Sequence, residues 1–333
     1  MGRYRGSTEN RIIAHLKSRR EEGITQKEMY EFLGISKSYL SETLTALEEE
    51  GVIVRTLGPG SIKRIWSSRY YPFPISGVLR VGLLRSSEYL PVLHGVKKNA
   101  AVLKKKTHVY VYADAISLLS DLRAGVLEIA FAPLYTTAIS SLTYADVRIL
   151  HLIASGGASV FRSTLNRDQA WLSTEVSTMV LMLRNYLQDS NSISRLVPFS
   201  DPCTGMRKFQ KGKYGNICIW EPFASELRGK ASVVELATYQ ELLGELPCCG
   251  VVTRSSLVHE VKDVVTGTGE IAYDVSDIKD IGFCGYEKDV DESMGHYNFD
   301  IDRSFAAFTR YLNKLGITVP VKSARVLYAG PLK

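Results

Sequence analysis

The stretch ITQKEMYEFLGISKSYLSETLTALEEEGVIVRTLGPGSIKRIW, residues 24–66, is the most informative part of the chain. Thr25 followed by Glu28 predicts a capping box at the start of a short helix. Gly34 can supply the positive φ of a tight turn. Ser36 is expected to cap a second helix, in which apolar residues repeat at helical spacing and predict a buried face: Leu40, Leu44 and Leu47.

A two-stranded ribbon is predicted after the second helix. Residues 52–54 form its first strand, Leu57 to Gly60 its turn, and Ile62 to Trp66 its return strand. Helix, turn, helix and ribbon follow one another in the order of a winged helix-turn-helix. The residues GISKSYLSETLTALEEEGVI (34–53) and the basic ribbon resemble those of MarR-like and related winged-helix transcription regulators. We assign this resemblance to residues 1–70.

The resemblance implies duplex DNA as a partner. Outward side chains near the start of the second helix would contact base edges, and cations of the ribbon would contact phosphates. The DNA-binding residues predicted in this way are Lys37, Ser38, Tyr39, Ser41, Thr45, Arg55, Lys63 and Arg64. Glu42 stands where a basic residue would be expected, so a winged helix that makes only protein contacts stays open as an alternative.

Length, charge and hydropathy limit the number of domains and the location that we expect. A chain of 333 residues has room for two or three domains, and its net charge of +6 is mild, so the DNA prediction depends on pattern rather than charge. The N-terminus lacks the apolar core of a signal peptide and no apolar run is long enough to span a bilayer, so we expect a cytoplasmic protein without a membrane partner.

Five cysteines are an odd number, and in a cytoplasmic protein free thiols are the expectation. The adjacent pair Cys248-Cys249 is flanked by apolar residues, which favours a buried strand over a redox or metal role. The prediction is therefore that the protein uses no metal and no cofactor.

The sequence changes character after a short linker, residues 71–76, in which two prolines enforce an extended chain. Apolar strands are predicted over 77–84, 107–114, 127–133 and 147–154, and helices between them indicate a parallel α/β sheet. A helix is predicted over 171–188 with Ser173 and Thr174 at its start. A strand over 246–257 could return the chain to the first sheet.

Three segments carry a second resemblance. LLSDLRAGVLEIAFAPLY (118–135) has the helix, glycine, acidic residue and strand order of type II periplasmic-binding-protein folds, with Glu128 as the acid. IWEPFASEL (219–227) is similar to a motif of the nitrate, sulfonate and thiamine-precursor branch, and PCCGVV (247–252) to its return strand. The implied fold class is α/β: an N-terminal winged helix (α+β), then a two-lobed ligand-binding domain over 77–333. Lobe one would comprise 77–158 with 251–333, and lobe two 159–250.

In such a fold the ligand lies in the cleft between the lobes. Strand ends and helix N-termini direct N–H groups into the cleft, which favours a small anionic or polar molecule. The candidate ligand-binding residues are Ser86, Ser87, Tyr112, Asp114, Tyr135, Ser155, Gly156, Ser173, Thr174 and Glu221. Two alternatives stay open: Ser173 as a helix N-cap, and Glu221 as an acceptor for backbone donors of a turn.

The combined prediction is a ligand-responsive, DNA-binding transcription regulator and not an enzyme. Its expected partners are double-stranded DNA, a small-molecule effector and further copies of itself, in a homodimer or higher homo-oligomer. One alternative is an enzyme of cofactor biosynthesis on the same binding-protein fold. The other is a DNA-binding or docking module without a ligand.

Overall fold

The computed structural model of the chain describes residues 6–58, 60, 62–143, 145–166, 168–188, 195–267, 271–314, 316–317 and 321–329. Pro59 of the predicted 57–60 turn and the last four residues of the predicted lobe one lie outside these ranges. The chain divides into two units, Met1–Ser76 with Ala124–Leu127, and Gly77–Arg123 with Glu128–Lys333. We describe each unit by itself. None of the helices in the described ranges has both the length and the apolarity that a membrane crossing requires.

The N-terminal unit is built from three helices and a small antiparallel sheet. Its sheet order is β1-β3-β2. The elements are α1 (Ser7–Arg19), β1 (Ile24–Thr25), α2 (Gln26–Leu33), α3 (Lys37–Glu49), β2 (Ile53–Leu57) and β3 (Lys63–Ser67).

Local sequence signals place these elements as predicted. Thr25 Oγ1 accepts from the Glu28 amide at 3.2 Å, while the Glu28 carboxylate accepts from the Thr25 amide at 2.7 Å, which completes the capping box of α2. Gly34 ends α2 with φ 65°, and Ser36 Oγ accepts from the Tyr39 amide at the start of α3. The predicted leucine face of α3 is buried in one core with residues of α1 and α2.

The second unit begins with alternating strands and helices. Its first half contains β4 (Val78–Leu83), α4 (Tyr89–Val102), β5 (Lys106–Val111), α5 (Ala115–Arg123), β6 (Ile129–Pro133), α6 (Leu134–Thr143), β7 (Val147–Leu152), β8 (Ser155–Gly156), β9 (Ala158–Ser163), β10 (Trp171–Ser173) and α7 (Thr178–Leu187). Its second half contains β11 (Leu196–Pro198), α8 (Pro202–Gln210), β12 (Asn216–Trp220), α9 (Phe223–Arg228), β13 (Val233–Thr238), α10 (Tyr239–Leu243), β14 (Cys249–Arg254), α11 (Val258–Val265), α12 (Val275–Ile281), α13 (Val290–Met294), β15 (Tyr297–Asn298), α14 (Phe305–Lys314) and α15 (Val321–Leu327).

Two five-stranded sheets divide this unit into two lobes. The first sheet has the order β5-β4-β6-β14-β7, and the second has the order β11-β10-β12-β9-β13. Strands β4, β5 and β6 are parallel, but β14 is antiparallel to both of its neighbours because it returns to the first sheet from the second lobe. The first sheet is therefore mixed: the predicted parallel arrangement holds for β4, β5 and β6, and the strand predicted to return the chain to this sheet is antiparallel.

The prediction of a helix over 171–188 is wrong for the first residues of that range, which are not helical. Trp171–Ser173 form β10, which pairs in parallel with both β11 and β12. The helix begins at Thr178, where Ser177 Oγ accepts from the Met179 amide as the N-cap. Pairing on both sides of β10 stabilises the extended backbone over these apolar residues, and the local pattern contains no information on those partners.

The expectation that all five cysteines are free thiols is wrong as well. Cys203, on α8, forms a disulfide with Cys284, 81 residues later in the chain. The other three cysteines, Cys218, Cys248 and Cys249, are free and buried. The two partners meet through the tertiary fold, so cysteine spacing alone could not pair them.

One half-buried histidine makes stability depend on pH. Burial, with a smaller contribution from the Arg303 guanidinium, lowers the pKa of His151 on β7 from 6.5 to about 4. Between these values the unfolded chain binds a proton at this residue and the folded chain does not, so stability falls as pH falls. We expect a loss of about 3 kcal/mol in the free energy of unfolding between about pH 7 and pH 4 from this group.

Urea unfolding of wild type and His151→Gln over that pH range measures this effect. The variant should lose less stability on acidification than wild type does. His259→Gln, at an exposed position of α11, is the control and should keep the wild-type slope. Equal slopes for wild type and His151→Gln would contradict the assignment.

Candidate functional site

A cavity of about 410 Å³ lies within the second unit, between its two sheets. Its walls are formed at the ends of strands from both lobes and by the start of α7. Ligands of open α/β folds bind in such crevices outside strand ends. The volume is within the usual range for small-molecule sites.

A buried carboxyl group lies at one side of the cavity. Glu88 precedes α4 and is only 4% exposed. Cys248 Sγ donates to its Oε2 at 2.7 Å, and Ser86 Oγ donates to its Oε1 at 3.1 Å. Burial raises the pKa of Glu88 despite these hydrogen bonds, because desolvation penalises the charged form.

Two thiols and two phenols surround this carboxyl group. Tyr89 donates its hydroxyl to Cys249 Sγ at 3.3 Å. The Tyr297 hydroxyl is 3.2 Å from Ser86 Oγ, and both residues line the cavity. Burial raises the pKa of Cys248 and brings the pKa of Cys249 to about 11, so the thiols are neutral when nothing else is bound.

An aromatic pair forms another wall. The rings of Phe199 and Trp220 stack with centroids 6.0 Å apart and an interplanar angle of 29°. Trp220 donates its indole N–H to the carbonyl oxygen of Arg85, a residue of the first lobe, at 2.6 Å. This hydrogen bond fixes the orientation of the Trp220 ring. The pair presents a rigid apolar surface to whatever occupies the cavity.

Four of the ten predicted ligand-binding residues line the cavity: Ser86, Asp114, Gly156 and Thr174. Each lies at or just beyond the end of a strand, as the prediction assumed. Asp114 also accepts from the Ser117 amide at 2.7 Å at the start of α5. Thr174 is hydrogen-bonded to Ser177 in the loop before α7.

The other six predicted residues are not among those that line the cavity: Ser87, Tyr112, Tyr135, Ser155, Ser173 and Glu221. Tyr112 donates to the Asp121 carboxylate at 2.6 Å. The hydroxyl of Ser87 is hydrogen-bonded to Ser293 at 2.8 Å. Glu221 forms a salt bridge with Arg228 and accepts from the Ser225 amide at 2.9 Å, which matches the alternative of a turn-satisfying carboxylate.

The last three differ in their surroundings. Tyr135 is half-buried in the first turn of α6. Ser155 and Ser173 lie in strands β8 and β10, and their buried hydroxyl groups have no hydrogen-bond partner among the described residues. Ser173 is therefore not a helix N-cap.

Sequence reasoning missed five of the most distinctive residues of the cavity: Glu88, Phe199, Cys248, Cys249 and Tyr297. The position of Glu88 between the strand predicted over 77–84 and the helix that follows it was a usable signal. No local signal marks Phe199 or Tyr297, because both reach the cavity through the tertiary fold. Both cysteines are buried as predicted, but only Cys249 lies in strand β14, which Cys248 directly precedes. The contact between Cys248 and Glu88 joins residues 160 positions apart.

The residues predicted to contact DNA lie on α3, β2 and β3 of the N-terminal unit: Lys37, Ser38, Tyr39, Ser41, Thr45, Arg55, Lys63 and Arg64. Both arginines of this set form hydrogen bonds within the unit. Arg55 donates to the Glu48 carboxylate at 2.8 Å and to Thr45 Oγ1 at 3.1 Å. Arg64 donates to the carbonyl oxygens of Glu22 and Gly23 at 3.4 and 3.3 Å.

Comparison with known proteins identifies the fold of the lobed unit. The sequence matches no protein-family model, and no curated protein matches it either. Among solved structures, the chain is similar to the ligand-binding component of an ABC-type import system from Staphylococcus aureus, with zinc bound (TM-score 0.61, 14% identity, 74% of this chain and 96% of that chain). It is similar to the alkanesulfonate-binding protein SsuA from Xanthomonas axonopodis pv. citri, bound to MOPS (TM-score 0.58, 14% identity, 78% and 99%). The periplasmic nitrate-binding protein NrtA from Synechocystis PCC 6803 is a third (TM-score 0.59, 10% identity, 77% and 86%).

The predicted two-lobed, periplasmic-binding-protein-like α/β fold is confirmed by these similarities. The predicted function is corrected by them. These structures are described as a ligand-binding component of an import system, an alkanesulfonate-binding protein and a nitrate-binding protein, and none of the three is described as a DNA-binding regulator. The prediction of a DNA-binding transcription regulator with double-stranded DNA as a partner is therefore wrong. The comparisons also give no support to the alternatives of a biosynthetic enzyme or a docking module.

Proposed function

We propose that the lobed unit is a binding module for a small organic molecule that carries no net negative charge. The observation that carries this proposal is the composition of the cavity wall. The wall combines the stacked pair Phe199 and Trp220 with the carboxyl groups of Glu88, Asp114 and Glu175. None of the described residues that line the cavity is a lysine, arginine or histidine.

The charge of this wall decides between ligand classes. A bound anion would meet three carboxyl groups and no compensating side-chain cation, and burial makes an uncompensated charge costly. A neutral molecule meets no such penalty, and burial, by raising the pKa of Glu88, makes its carboxyl group easier to protonate for hydrogen bonding to such a molecule. A cationic group beside Glu88 would favour the ionised carboxylate. The expectation of an anionic ligand, and analogy with alkanesulfonate or nitrate binding, therefore do not suit these residues.

Three probes that share one ring and differ in charge test the proposal. Benzamidine is cationic, benzyl alcohol is neutral and benzenesulfonate is anionic. We expect benzamidine or benzyl alcohol to raise the thermal unfolding temperature of the full chain, since a ligand that binds only the folded state stabilises it. Benzenesulfonate should have no such effect. Mass spectrometry of the purified protein under native conditions searches for the natural ligand in parallel.

The variant Phe199→Ala locates the binding site. It removes one of the two stacked rings and should weaken binding of the effective probe at least about tenfold, or about 1.4 kcal/mol. Phe209→Ala is the matched control, because Phe209 is buried on α8 but does not line the cavity. Preferential binding of benzenesulfonate, or an equal loss of affinity in both variants, would refute the proposal.

We also propose that the N-terminal unit is a winged helix, as a statement of fold alone. The order α1, β1, α2, α3, β2, β3 supports this, together with the sheet order β1-β3-β2 and the tight turn at Gly34. An experimental structure of the full chain tests the assignment directly.

A further inference from the structure

The cavity wall contains a cluster of soft and hard metal-ligand atoms that an organic ligand alone does not explain. One carboxylate oxygen of Glu88 and the Sγ atoms of Cys248 and Cys249 all lie within 4.8 Å of one another. All three residues are buried, and all three line the cavity. We propose that these residues bind one thiophilic divalent cation, of which Zn²⁺ is the representative, with a coordination position open to the cavity.

The distances suit such an ion after small side-chain movements. Zn–S bonds are about 2.3 Å and Zn–O bonds about 2.0–2.2 Å, so ligand atoms of a tetrahedral site lie about 3.5–3.8 Å apart. Cys248 Sγ and Glu88 Oε2, now 2.7 Å apart in a hydrogen bond, would separate as the ion replaces the thiol proton. That separation requires a movement of less than about 1 Å.

The type of ligand atom selects the class of ion. Two thiolates with one carboxylate favour Zn²⁺ over Mg²⁺ or Ca²⁺, which prefer sets of oxygen ligands. Binding displaces the two thiol protons, and any proton on the Glu88 carboxyl group, to solvent and involves no change of oxidation state. The site would then carry one net negative charge, which agrees with a cavity that rejects anions.

Neighbouring donors are placed to support the ligands. The Tyr89 hydroxyl donates to Cys249 Sγ at 3.3 Å, and Ser86 Oγ donates to the Glu88 Oε1 atom at 3.1 Å. Donors of this kind orient the ligating atoms and stabilise their charge in metal sites. With three protein ligands, the fourth position of a tetrahedral ion is free for water or for an atom of a bound molecule.

This inference rests on the proposed function only in that it uses the same cavity.

Co²⁺, added to the full chain in anaerobic buffer without thiol reductants, is the probe. We expect one equivalent to bind and to produce a thiolate-to-cobalt charge-transfer absorption in the near ultraviolet. Cys249→Ala and Cys248→Ser each remove one of the two thiolates and should lower that absorption at least about twofold, and Glu88→Gln should weaken binding at least about tenfold.

Cys218→Ala is the matched control, because Cys218 is a free, buried cysteine outside the cavity wall. This variant should bind Co²⁺ like wild type. Circular dichroism establishes that each variant is folded, and a thiol assay in denaturant establishes that Cys248 and Cys249 are reduced. Absence of the charge-transfer absorption in folded, reduced wild type would overturn the inference, as would an absorption of undiminished intensity in folded Cys249→Ala.

The organic probes separate this inference from the proposed function. Phe199→Ala should lose affinity for the effective organic probe and still bind Co²⁺. Wild type that binds the organic probe but not Co²⁺ refutes the metal site alone. Wild type that binds Co²⁺ but none of the three organic probes refutes the proposed function alone.

Discussion

Replacing Arg80 with methionine is expected to lower the free energy of unfolding by about 3–5 kcal/mol, because it leaves a buried carboxylate without its partner. The Arg80 side chain is fully buried on β4, and that of Glu128, just before β6, is 5% exposed. Arg80 Nε lies 3.2 Å from both carboxylate oxygens, and the Arg80 amide donates to Oε2 at 2.6 Å. Removing the guanidinium removes the charge that compensates this carboxylate.

The double variant Arg80→Met/Glu128→Leu separates the value of the pair from the cost of breaking it. Removing both charges should restore most of the lost stability, since a well-packed apolar pair often replaces a buried ion pair at little cost. The free energies come from urea unfolding of wild type, both single variants and the double variant.

An exposed ion pair provides the matched control. Arg310 Nη2 lies 2.8 Å from Asp302 Oδ2, with both side chains more than half exposed. Arg310→Met should change stability by less than about 1 kcal/mol. A loss below about 1 kcal/mol for Arg80→Met, or a double variant no more stable than the single one, would contradict our account of the buried pair.

Glu128 also illustrates what a local sequence pattern can and cannot predict. The order of helix, glycine, acidic residue and strand correctly predicted the fold around it. The pattern could not reveal that this acid is paired with Arg80, 48 residues earlier on the adjacent strand. An acidic residue beside a strand can bind a ligand or compensate a buried cation, and only the tertiary fold decides which.

The candidate site likewise contains residues that the sequence could predict and residues that only the tertiary fold brings together. Ser86 and Asp114 were predictable because the carboxyl ends of parallel strands meet at one edge of a sheet. Glu88, Cys248 and Cys249 form one cluster through contacts between residues 160 positions apart, so no spacing rule identifies them.

Of the fold, the candidate site and the function, the function was the least predictable from the sequence. The helices, the turn at Gly34 and the hairpin of residues 53–67 follow from local signals and are present. The step from those elements to DNA recognition was an argument by analogy, and a fold does not fix a function. In the structure, Arg55 is bound to Glu48 rather than left available at the surface.

Removing the Cys203–Cys284 disulfide should have an effect as large as that of Arg80→Met. The bond joins α8, which packs on the second sheet, to the segment after α12, which packs on the first lobe. Closing a loop of 81 residues in the unfolded chain corresponds to about 4–5 kcal/mol of chain entropy. We therefore expect Cys203→Ala/Cys284→Ala to lower the free energy of unfolding by up to about that amount.

Urea unfolding with and without a thiol reductant isolates the bond from the packing of the two side chains. Reductant should destabilise wild type and leave the double variant unchanged, so that the two proteins become nearly equal in stability. Cys218→Ala retains the disulfide and should respond to reductant as wild type does. If reductant leaves the unfolding midpoint of wild type unchanged while mass spectrometry shows that Cys203 and Cys284 are reduced, the bond does not stabilise the junction between the lobes.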